Sequence, residues 1–156
     1  MSDGATPLGR RPRPVAGLPP ADGAAVAKAW LLEVLAQTAL EDIAAVPAQL
    51  LAREAPALCQ AVVEAVGDDA ALDRLLTGGD RAALAARAGV LIGATGAAGV
   101  VGAVEALRAV LHRALRTEAN AALAADTGDR LAHVCSQVAA AALQAGDAAV
   151  PVPVPA

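Results

Sequence analysis

The chain has 156 residues, a formal net charge of −4 at pH 7 and an apolar fraction of 56%, much of it alanine, with Trp30 its one aromatic residue. The length suits one domain with its own core, and the acidic balance argues against nucleic acid as a partner. Two cysteines make neither a disulfide framework nor, unaided, a structural zinc site, and no segment reads as a signal peptide or membrane span. A cytoplasmic location is expected.

Residues 1–21 carry Pro7, Pro12, Pro14, Pro19 and Pro20 among several glycines and predict a disordered leader, with Arg10, Arg11 and Arg13 keeping it solvated. Asp22 is placed to cap a helix over Ala24 to Thr38, whose apolar stripe is Ala27, Trp30, Leu31, Val34 and Leu35. Trp30 reads as a packing anchor on that stripe. It is also the one side chain able to stack on a ligand, so a pocket at Trp30 is an alternative.

Glu41 to Val46 predicts a short turn or helix before Pro47, where a new helix can start. Pro56 leaves two readings, a further helix beginning there or one kinked helix. Leu58, Cys59, Val62, Val63 and Val66 form the buried side in either case, which makes Cys59 an inert thiol. Gly67 ends the segment, and Asp68 or Asp69 caps Ala70 to Leu76. A turn at Thr77 to Asp80 leads into a short helix over Arg81 to Ala88.

The stretch GVLIGATGAAGVVG over 89–102 reads as helix or loop, with Gly93, Gly96, Gly99 and Gly102 three residues apart. It lacks the strand context and following acidic residue of a dinucleotide fingerprint, and it has no Walker lysine. The firmest element follows. From Gly99 to Leu115, Val100, Val104, Leu107, Val110, Leu111, Ala114 and Leu115 recur at three- and four-residue steps. Glu105, Arg108, His112, Arg113 and Arg116 occupy much of the opposite side. A last helix starts between Ala121 and Gly128 and reaches Gln144, with Leu131, Val134, Cys135, Val138 and Ala142 on its apolar face. Gly146 is expected to terminate it, leaving 147–156 as a Pro/Val linker or clipped inter-domain segment. The expected fold is all-α: a bundle of about four principal helices with short connecting ones over 22–146, globin-like as one option.

Reactive groups are few. Cys59, His112, His133 and Cys135 are ligand types without coordination spacing, so no metal, cofactor or catalytic residue is assigned. Asp68, Asp69, Asp73 and Asp80 do not form an EF-hand loop. Asp129 and His133, four residues apart, form a candidate proton-sensitive pair in which the carboxylate would raise the imidazole pKa. Leu107, Leu111 and Val138 are candidates for a dimer interface and serve equally as core.

The segments AKAWLLEVLAQ and PAQLLAREAPALCQAVVEAVG, with a final helix before a proline-rich end, resemble the helical N-terminal sensory domains of multidomain bacterial signalling proteins. Those that precede diguanylate cyclase domains in actinobacteria are one example. The chain is also similar to the N-terminal non-haem globin-like domains of stressosome-type regulators. The resemblance implies a non-catalytic regulatory or sensory module that homodimerises and transmits conformational change to an attached output domain. A GGDEF loop is not present, since Gly78-Gly79-Asp80 is followed by Arg81. The alternatives are a sensor holding a small apolar ligand in an interhelical pocket, near Trp30 or the glycine-rich segment, and a passive structural adaptor. Neither a membrane nor nucleic acid is an expected partner.

Overall fold

The computed structural model describes residues 10–116 and 118–149, and among them the chain forms helices and no strand. The α-helices are α1 (Gly23–Gln37), α2 (Ala48–Gly67), α3 (Asp69–Leu76), α4 (Gly79–Ala86), α5 (Ala88–Leu91), α6 (Gly96–Leu115) and α7 (Ala124–Ala149). Short 3-10 turns cover Leu40–Ala45 and Glu118–Leu123. Local chemistry explains several boundaries. The Asp22 carboxylate accepts from the Ala24 N–H at the start of α1, and Asp68 accepts from the Ala70 and Ala71 N–H groups at the start of α3. Gly78 and Gly79 take φ of 100° and 79° between α3 and α4, a conformation that side-chain-bearing residues adopt at a cost.

Pro56 lies inside α2, so the single-helix reading holds. Its carbonyl marks a very close approach of two helices: a Cβ built on Gly23 of α1 would sit 2.5 Å from the Pro56 oxygen. A core made of Ala, Val and Leu has little bulk with which to hold helices apart, and here glycine lets two backbones nearly touch. Trp30 then ties α1 to α6. It is fully buried, and its indole N–H donates to the Ala103 carbonyl at 2.9 Å. From α6, Val100, Val104, Leu107, Val110, Leu111 and Leu115 all enter the core, while Ala114 is exposed at the edge of the stripe. They meet Leu131, Val134, Cys135, Val138 and Ala142 of α7, which packs against α6, α4 and α2.

Two expectations change at the ends. Residues 10–21, assigned to a disordered leader, lie against the helical body: Val15 is buried, its N–H donates to the Val66 carbonyl, and Leu18 and Ala21 pack on the core. Residues 1–9 of that leader fall outside the described residues. Gly146 does not end α7, which continues to Ala149. An internal glycine costs only about 1 kcal/mol relative to alanine, which helix-favouring neighbours absorb. The linker assigned to 147–156 therefore loses 147–149 to the helix, and the rest lies outside the described residues. No helix among the described residues is long and apolar enough to cross a membrane.

The backbone contact at Gly23 makes a sign-inverted prediction. Gly→Ala inside an exposed helix stabilises by about 0.5–1 kcal/mol, and Gly102, where a Cβ would meet open space, is expected to follow that rule. Gly23→Ala is expected to destabilise instead. Urea midpoints of the two variants by circular dichroism check this: they should move in opposite directions.

Candidate functional site

The glycine-rich segment is a break between two helices. α5 ends at Leu91, and Gly93 turns the chain at φ 68°, where a Cβ would approach the Ala45 carbonyl to 2.7 Å. Gly96, at φ 74°, opens α6. Gly89 allows Val100 to lie against α5, since a Cβ there would come within 2.8 Å of the Val100 Cγ2 atom. The local spacing thus brings α5 and the first turns of α6 together with almost no side-chain bulk between them. The C-terminal half of α7 passes beside them.

These three elements enclose a groove of about 360 Å³. Its walls are Gly89 and Val90 of α5, Ala97 and Val100 of α6, and Ala142 and Leu143 of α7. Val90 stands at the rim, 58% exposed, although it is a branched aliphatic side chain. The charged neighbour, Arg87, is drawn toward α2 by Glu54, with Nε–Oε2 at 3.0 Å and Nη2–Oε1 at 3.2 Å. This two-point pairing holds the guanidinium in one orientation. A second cavity of about 420 Å³ borders the same segment, between Val34, Asp42, Ile92, Gly99 and Ala103. Polar groups contribute more to it, and Thr38 on its wall already donates to the Val34 carbonyl.

The structure distributes the residues singled out in the sequence rather than gathering them. Trp30 has no exposed surface and its one donor is satisfied, so it anchors α1 to α6 and lines neither cavity. Leu107, Leu111 and Val138 are each 0% exposed within a single chain, which places them in its core and not on a surface open to a second copy. The reason is that α6 and α7 turn their apolar stripes toward each other. Cys59 and Cys135 are buried, and desolvation pushes both thiols up to about 12.

Asp129 and His133 are joined by no hydrogen bond or ion pair among the described residues. The His133 pKa moves down from 6.5, not up, chiefly through burial and then through the cations of Arg130 and Arg11, with Asp69 opposing. Among the described residues no three His, Cys, Asp or Glu side chains form a group able to hold a metal ion.

One important residue was not singled out from the sequence. Arg130 of α7 is fully buried, and its guanidinium reaches the end of α2: Nε and Nη2 donate to the Ala65 carbonyl at 3.1 and 2.6 Å. Its Nη1 donates to the Pro12 carbonyl and to Asp69, both at 2.8 Å. The signal was available, because Arg130 lies four residues before Val134 and so falls on the apolar face of α7.

No family model, curated protein or solved structure matches this chain.

The lowered His133 pKa has a definite pH consequence. The unfolded chain takes up this proton first, near pH 6.5, so His133's contribution to stability is present above that pH and is lost as pH falls toward the folded pKa. Urea midpoints from pH 7.5 to 5 are expected to decline less steeply in His133→Gln than in the parent chain. A second outcome concerns the thiols: neither Cys59 nor Cys135 should react with a thiol-specific chromogenic disulfide at pH 8 until denaturant is added, after which both should.

Proposed function

We propose that this chain is a non-catalytic regulatory module, a four-helix bundle of α1, α2, α6 and α7 with short connecting helices, that holds a small apolar molecule in the groove between α5, α6 and α7. The observation that carries the reading is the groove itself: about 360 Å³, within the range of small-molecule sites, and lined by Gly, Ala, Val and Leu apart from Arg87. The placement of the reactive groups supports it from the other side. Two thiols are sealed in the core, one histidine is held beside two arginines, and Arg87 is engaged by Glu54.

The groove also supplies a route for a response. Its walls belong to the short α5, the first turns of α6 and the far end of α7. An occupant wedged there covers apolar surface on all three, and covering it favours whichever spacing of α7 against α5 and α6 fits the occupant. α7 runs past the groove to Ala149, so a change in its lean is delivered to whatever follows. This is the sensory reading with an attached output domain. The dimer expected through Leu107, Leu111 and Val138 forms no part of it, because those side chains are consumed within one chain.

Nile red, an uncharged apolar dye, tests the proposal. It is expected to bind saturably at one per chain with enhanced fluorescence and to raise the melting temperature. Ala97→Trp, which fills the groove from an exposed position, and Val90→Asp, which puts on its rim a charge that a bound dye would desolvate, are each expected to weaken dye binding about tenfold or more. Both should leave the unliganded circular dichroism unchanged. Binding that ignores both substitutions contradicts the proposal.

A further inference from the structure

The N-terminal segment is held as a ligand is held. Residues 10–16 form neither helix nor strand, yet each contact they make is specific. Arg11 reaches Asp73 at 2.8 Å and Asp69 at 3.7 Å on α3. The Pro12 carbonyl accepts from the buried Arg130 guanidinium at 2.8 Å. Val15 buries its side chain and donates its N–H to the Val66 carbonyl at 3.1 Å. Ala65 and Val66 are in the last turn of α2, where carbonyls have no partner within the helix. Arg130 and Val15 cap them. Arg10 to Arg13 also border, with the α7 residues Asp129 and Ala132, an open groove of about 600 Å³.

The connection to α1 turns on one residue. Gly17 has φ 76°, and a Cβ placed there would meet nothing within 4 Å. Beyond it, Leu18 and Ala21 pack on the core, so the rest of the connection is fixed to the body. If Gly17 leaves the left-handed region for an extended conformation, residues 11–16 swing away as an arm about 20 Å long. Released alone, the arm exposes Val15 and removes the cap from the Val66 carbonyl and an acceptor from Arg130.

We infer that the cleft formed by the end of α2, α3 and Arg130 is a peptide-binding site, and that residues 11–15 of a second copy of this chain occupy it in a reciprocally exchanged dimer. The occupant is identified by the contacts already seen: an arginine for Asp69 and Asp73, a carbonyl for Arg130, and a valine with a free N–H for Val66. A second copy carries the same segment, and two-fold exchange satisfies every one of these groups in both chains and closes the assembly. The surface used is distinct from the α5–α6–α7 groove, so the two readings stand or fall separately.

Substitution at Gly17 isolates the turn, since the added atoms touch nothing. Gly17→Val cannot hold φ 76° without strain, and the strain vanishes when the arm extends into a partner. Light scattering across a concentration series is expected to show Gly17→Val dimerising at least about tenfold more tightly than the parent chain. Gly17→Asn, which tolerates the left-handed region, should behave like the parent.

In the Gly17→Val background, Arg11→Glu and Asp73→Arg each place like charges at the contact and are expected to be monomeric alone. Mixed, they restore opposite charges at both exchanged contacts, and a heterodimer is expected. A Gly17→Val chain that stays monomeric throughout would overturn the inference. So would a mixture no more dimeric than its components, because dimerisation would then not run through the exchanged arm.

Discussion

Close approach of helix backbones is the constraint on which this structure depends. Alanine contributes little area to a core, and with one aromatic residue the chain cannot fill wide gaps between helices. It narrows them instead. α1 crosses α2 with Gly23 against the Pro56 carbonyl, and α5 lies against α6 with Gly89 against Val100. Where bulk is needed, Trp30 supplies it, bridging α1 to α6 with its N–H bound to a backbone carbonyl. The same economy that closes the core leaves the groove at α5, α6 and α7. Small residues that permit contact in one place leave space in another.

The second organising feature is electrostatic. A buried arginine is costly unless its donors are used, and Arg130 uses them on Ala65, Pro12 and Asp69. By doing so it places a cation at the C-terminal end of α2, where the helix carbonyls favour positive charge. Helix α7, the turn from α2 to α3 and the N-terminal segment are thus bound at one point. Asp69 is half exposed, so solvent shares in stabilising the charge, and the pair need not be balanced wholly within the protein.

How much of this could be read from residues alone varies along the chain. The stripes of α6 and α7 were legible because Val and Leu recur at helical spacing, and most of those side chains are buried as expected. The single helix through Pro56 was one of two open readings; proline is disfavoured inside helices, and only tertiary packing chose between them. The break at Gly93 and Gly96 was not legible, because glycine permits helix and turn alike and the deciding contact, with Ala45, is remote in sequence. Val15 was missed for a related reason: its partner is 51 residues away, and composition rich in proline and arginine masks a tethered segment. Asp129 and His133 show the converse error. Their spacing allows a pair, but the His133 pKa is set first by burial and then by Arg130 and Arg11, one of them from a different part of the chain. As for the site, the glycine-rich segment was flagged as a place for a pocket, whereas Trp30 belongs to the core.

In the proposed function, apolar surface left over from close helix packing, at α5, α6 and α7, is the ligand site. Methyl-resolved NMR of valine and leucine side chains during a Nile red titration tests it most directly. Shifts are expected to concentrate at Val90, Val100 and Leu143, with Leu58, Leu72 and Leu75 unmoved. Shifts spread across the core, or confined to methyl groups remote from the groove, would contradict it.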